Sequence, residues 1–140
     1  MKQLLIDTNV YVAFKRSDSK VIELMQQADS IAINTVVLGE LLAGFKGGLR
    51  ETVNRAELDQ FLDSPRVEFI LLDESSADFF ALVFNILKQI GKPIPTNDIW
   101  IAASAMQHGR TLATLDSHFS HITGLLLHPT LRTIDEEMWK

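Results

Sequence analysis

The chain contains no cysteine among its 140 residues. Disulfide bonds, thiol nucleophiles and zinc–thiolate sites are therefore excluded, and a reducing cytoplasm is the expected setting. It also lacks an excess of positive charge: 13 Lys and Arg stand against 18 Asp and Glu, a net charge of −5. A protein that holds nucleic acid chiefly by releasing counterions is usually basic. Any contact with nucleic acid is then either local or masked by acid gathered into a metal site. Long apolar runs are absent as well. The opening MKQLLIDTNV is too short in its apolar part for a secretory leader, and no stretch reaches the ~20 residues of a membrane span. No repeat, low-complexity segment or linker divides the chain, so 1–140 reads as one domain. Its 46% hydrophobic residues are enough for a sizeable core.

What is present alternates between two patterns. KQLLIDTN, SIAIN, RVEFILL and TLATL are short apolar runs closed by polar residues, which predicts buried strands. LLL near residue 126 is a fifth strand candidate, and LRTI at 131–134 a further one. Between them lie helical segments: VYVAFKR, SKVIELMQQA with Asp18 or Ser19 as cap, and TVVLGELLAGF with Asn34 or Thr35 as cap. After the Gly47-Gly48 break come RETVNRAELDQFLDS and ESSADFFALVFNILKQIG, the latter stopped by Gly91. A helix capped by Thr96 or Asn97 follows and ends before Gly109, and SHFSH reads as a short helical turn. Apolar strands alternating with helices predict an α/β fold with a parallel sheet covered on both faces. In such folds ligands sit beyond the carboxyl ends of the strands.

Four acids fall where that rule matters. Asp7 follows the first strand and Asp116 the fourth, so both belong to one sheet edge. Asp98 lies in the first turn of the helix leading into the fourth strand. Glu40 lies about one and a half turns into the helix after the second strand. Taken singly, each has an ordinary structural role: Asp7 and Asp116 as helix caps, Asp98 as a complement to a helix dipole. Glu40, between Leu38 and Leu41-Leu42, is less easily explained, because a buried unpaired carboxylate is costly. Gly39 beside it suggests a close backbone approach, since glycine within a helix costs roughly 1 kcal/mol against alanine. Four crowded carboxylates repel unless a cation compensates them. Mg²⁺ or Mn²⁺ suits carboxylate and water ligands and can activate water toward a phosphodiester.

The set LLIDTNV, TVVLGELLAG, NDIWIAASAMQHG and TLATLDSHF resembles the PIN-domain ribonucleases, and most of all the VapC group, the toxin half of toxin–antitoxin pairs. The match spans most of the chain in the family's order. The resemblance implies a three-layer α/β/α domain with a central, mostly parallel sheet of four to five strands. It implies a Mg²⁺- or Mn²⁺-dependent endoribonuclease with Asp7, Glu40, Asp98 and Asp116 as catalytic and metal-site acids. Asn9 and Thr114 match its supporting polar positions. It further implies a homodimer, a cognate antitoxin, and an RNA substrate drawn from tRNA, rRNA or mRNA. Two alternative readings stand beside it. An inactive PIN module that binds without cutting would not need an intact set of acids. A haloacid-dehalogenase-like phosphatase wants a second aspartate two residues after the first, where this chain has Asn9.

Other residues have plainer readings. Lys15, Arg16, Lys46, Arg50 and Arg55 are candidates for phosphate contacts, against the equal reading of a solvated surface. His118 and His121, three apart, could ligate a transition metal, but zinc sites normally need three or four protein ligands, and the plainer reading is of surface residues on a turn anchored by Phe119; His108 and His128 read as loop residues. Trp100 points away from the face of Asp98, toward core or a dimer contact. Phe80, Phe84 and Leu87 form a helical stripe expected in the core.

Overall fold

The computed structural model describes residues 2–128, so the LRTI strand candidate lies outside the described residues. Its elements follow the alternation of the sequence. Strands β1 (Gln3–Ile6), β2 (Ser30–Asn34), β3 (Val67–Ile70) and β4 (Thr111–Ala113) form one parallel sheet in the order β3-β2-β1-β4. Helices α1 (Thr8–Lys15) and α2 (Ser19–Gln27) connect β1 to β2, and α3 (Thr35–Lys46) and α4 (Glu51–Leu62) connect β2 to β3. Helices α5 (Glu74–Gln89) and α6 (Thr96–Gln107) lead back to β4. The first two crossovers step outward in one direction, and the third returns past β2 and β1. Right-handed crossovers then set the two groups of helices on opposite faces, giving three α/β/α layers.

Burial on both faces explains the unbroken apolar strands: Leu4, Leu5 and Ile6 of β1 are fully buried, as are Ala32 and Ile33 of β2 and Leu112 and Ala113 of β4. Each large side chain so placed contributes about 1.5–3 kcal/mol. At the amino edge of the sheet, the buried Arg110 donates to the Leu4 carbonyl at 3.1 Å and the Ser30 hydroxyl at 3.0 Å, and pairs with Glu68. That ion pair ties the central strand to β2 and to edge strand β3, and composition gave no sign of it.

Several expectations need correction. LLL is not a fifth strand: Leu127 makes a single parallel bridge to Leu112. Pro95, not Thr96 or Asn97, occupies the cap position of α6, without a side-chain hydrogen bond. Among the described residues, nothing beyond its own stretch of α3 lies within 4 Å of a Cβ placed on Gly39, so that glycine serves no close approach. Leu87 is buried and Phe80 partly so, but Phe84 is 50% exposed and stacks on Phe80 at 6.2 Å. One helical stripe is wider than the surface its neighbour covers: Trp100 of α6 packs on Phe80, 4.3 Å between centroids, and leaves Phe84 outside. The stops at Gly91 (φ +67°) and Gly109 (φ +60°) stand where glycine tolerates the left-handed backbone.

Candidate active site

Strand order reverses between β1 and β4, and the chain emerging from these two neighbours builds one rim. Ile6 and Ala113 are in register, and the Asp7 amide donates to the Ala113 carbonyl at 2.9 Å. Asp7 then caps α1, accepting the Thr8 amide at 2.8 Å. Asp116 caps the 3-10 turn Ser117–His121, accepting the His118 amide at 2.9 Å. For both residues the capping role and a place on the rim coexist, because a cap uses one carboxylate oxygen. Asp98 reaches the same place from the first turn of α6, and Glu40 from the middle of α3.

All four acids line one cavity of about 670 Å³, together with Thr8, Asn9, Val12, Ala13, Arg16, Asp18 and Leu115. Hydroxyls and an amide hold the rim in place. The Thr8 hydroxyl donates to Glu40 Oε1 at 2.7 Å, which orients the half-buried glutamate. The Thr114 hydroxyl donates to Asp7 Oδ2 at 2.8 Å and accepts the Asp116 amide at 3.0 Å. Asn9 Oδ1 accepts the Leu115 amide at 3.1 Å, so its side chain fixes the loop that carries Asp116. Asn34 works one layer behind. It caps α3 through the Val37 amide and donates to Ser104 Oγ at 2.9 Å, joining α3 to α6 beneath Glu40 and Asp98.

The electrostatics record crowding. Asp7 is 5% exposed, and its pKa is pushed up to about 6. Burial is the main cause. The Thr114 hydroxyl and the Thr8 amide oppose it, while the charges of Asp98 and Glu40 add to it. The Asp98 pKa is also raised, chiefly by burial, against the hydrogen bond from His118. Such a site holds negative charge at a cost that a bound cation would offset. Its carboxylate oxygens surround a water-accessible space, a donor set that suits a hard divalent ion; all four acids line that space, and ligand atoms of Asp98 and Asp116 lie within 4.8 Å of each other.

Sequence reasoning gives three cavity or rim residues no part in the site. Thr8 looks like an ordinary first helical residue, and nothing in linear spacing reports a partner 32 positions away. Asp18 lines the cavity while capping α2. His118 was expected at the surface. It is half-exposed, but its Nδ1 lies 3.1 Å from Asp116 Oδ2 and 3.3 Å from Asp98 Oδ2. Its nearness to Asp116 in the chain was the available signal.

Of the basic candidates, Arg16 lines the acid cavity. Lys15 faces an adjacent cleft and pairs with Glu57 at 3.2 Å. Lys46 pairs with Glu51 at 3.3 Å, and Arg55 with Asp59 at 3.2 Å. Arg50 is exposed at the start of α4.

The PIN domain family profile matches residues 4–125. The chain is similar to Ribonuclease VapC2 of Rickettsia felis, 33% identical over 128 residues, covering 88% of this chain and 94% of that protein. Among solved structures, it resembles a chain of VapBC2 from Rickettsia felis bound to a DNA fragment from their promoter. That likeness has a TM-score of 0.78 at 31% identity, covering 89% of this chain and 96% of that one. It also resembles VapBC-1 from nontypeable Haemophilus influenzae, with a TM-score of 0.79 at 25% identity and coverage of 89% and 96%.

Proposed function

The chain belongs to the PIN-domain family, in its VapC group, and from that premise we propose that it is a divalent-metal-dependent endoribonuclease, the toxin of a toxin–antitoxin pair. The observation that carries this reading is the meeting of Asp7, Glu40, Asp98 and Asp116 around one cavity, with Asp7 and Asp98 titrating high. Mg²⁺ or Mn²⁺ is the cation class that fits these oxygen donors. When bound, such an ion supplies charge neutralisation and Lewis-acid activation of water for in-line hydrolysis of a phosphodiester.

The protein's own residues supply the positioning. Thr114 and Asn9 fix Asp7 and the Asp116 loop, and Thr8 fixes Glu40. Arg16, on the cavity wall, is placed to meet an RNA phosphate. The VapBC assemblies of the relatives support a cognate antitoxin as partner; a homodimer and a cytoplasmic setting belong to the same proposal. No helix among the described residues is long and apolar enough to cross a membrane.

The test is cleavage of structured RNA by the purified chain. Cutting is expected with Mg²⁺ or Mn²⁺, to stop on EDTA, and to be abolished in Asp98→Asn with the fold intact by circular dichroism. Cleavage that survives thorough chelation, or an unchanged Asp98→Asn rate, would discard the assignment. A substrate with a 2′-deoxy sugar at the scissile nucleotide should still be cut, because water and not the 2′-hydroxyl attacks.

A further inference from the structure

His118 is the imidazole that meets the rim acids Asp98 and Asp116. Its Nδ1 and one carboxylate oxygen each from Asp98 and Asp116 lie within 4.8 Å of one another. The two acids and the imidazole thus converge from separate elements, the first turn of α6 and the 3-10 turn after β4. The ring is delivered rather than adrift. Its backbone amide is held by Asp116 Oδ1, Ser120 Oγ donates to the Ser117 carbonyl at 2.9 Å, and the next residue, Phe119, is fully buried. His121, three residues on, is exposed and makes no such contact among the described residues.

We propose that His118 is a metal ligand on the Asp98–Asp116 side of the cavity and biases the site toward Mn²⁺ over Mg²⁺. The inference rests on the metal-dependent reading above and deepens it. Mg²⁺ favours oxygen donors and near-ideal octahedral geometry; Mn²⁺ shares the liking for carboxylate and water but, as a transition-metal ion, gains more than Mg²⁺ from an added imidazole nitrogen. An imidazole beside two carboxylates therefore discriminates between ions that the four acids by themselves would treat alike. A solvent-exposed ring also turns to meet an ion without disturbing the core.

The experiment is calorimetric titration of Mn²⁺ and Mg²⁺ into the full chain, together with electron spin-echo spectroscopy of the Mn²⁺-loaded protein. The wild type should show ¹⁴N coupling from an imidazole, absent in His118→Ala and His118→Gln. In both variants the Mn²⁺ dissociation constant should rise by about tenfold or more, while that for Mg²⁺ moves by less than about twofold. His121→Ala should match the wild type in every respect. Mn²⁺ binding that is lost in Asp98→Asn but shows no ¹⁴N coupling would overturn the role of His118 and leave the metal reading standing. Equal weakening of both ions in the His118 variants would reduce the residue to a hydrogen-bonding arm and overturn the selectivity. A wild type that binds neither ion would overturn the metal reading itself, and this inference with it.

Discussion

The hydroxyl of Thr114 stands 2.8 Å from Asp7 Oδ2, and the same oxygen accepts the Asp116 amide at 3.0 Å. One buried side chain thereby ties the acid after β1 to the acid after β4, across the point where strand order reverses. Neither acid keeps its place on the rim independently of the other.

Replacing Thr114 with valine keeps the shape and removes both bonds. Asp7 then loses the hydrogen bond that most opposes its raised pKa, so that pKa should climb further. The loss should cost on the order of 1–3 kcal/mol and lower cleavage by roughly 10–100-fold. Thr114→Ser should restore most of the rate. The check is cleavage rate together with titration of Asp7 by NMR; a valine variant with wild-type rate would show that the bridge has no catalytic weight.

Asp7 should make the metal-free protein less stable as pH rises. Its folded pKa is about 6 against an ordinary 3.8, so the folded state binds more protons between those values. Unfolding free energy then falls with rising pH across that window and levels off above it. The displacement corresponds to about 3 kcal/mol. Asp7→Asn should flatten this slope and raise the metal-free Tm at pH 7 even as it abolishes cleavage. Added Mg²⁺ or Mn²⁺ should stabilise the wild type at pH 7 far more than the variant. Thermal melts from pH 4 to 8, with and without metal, measure this directly, and a wild-type Tm that rises from pH 4 to 6 would refute it.

Arg16 should be the basic residue whose loss is felt most by RNA. It lines the acid cavity, while Lys15 and Lys46 are engaged with Glu57 and Glu51. Arg16→Ala should weaken binding to a non-cleavable RNA and reduce the slope of log affinity against log salt by about one. Lys46→Ala should change both far less. Binding measured across a salt series separates the two, and equal effects would place the phosphate path elsewhere.

The sequence by itself determined the four strands and six helices and named the acids that line the cavity, but not that LLL stays outside the sheet. Strands buried on both faces must be runs like LLI and IAI, and a chain leaving a parallel strand toward a helix wants a capping acid such as Asp7 or Asp116. These are local demands, so local sequence records them. Only the tertiary structure decided which strands are neighbours, and the order β3-β2-β1-β4 is what puts Asp7 beside Thr114. The pairing of Thr8 with Glu40, the reach of His118 to Asp98 and the exposure of Phe84 likewise depend on how helices far apart in the chain pack. Helical periodicity names a face of α5 but not how much of it α6 covers. The spacing of acids in sequence does not state that they line one cavity, which the packing of α3, α6 and the β4 turn brings about.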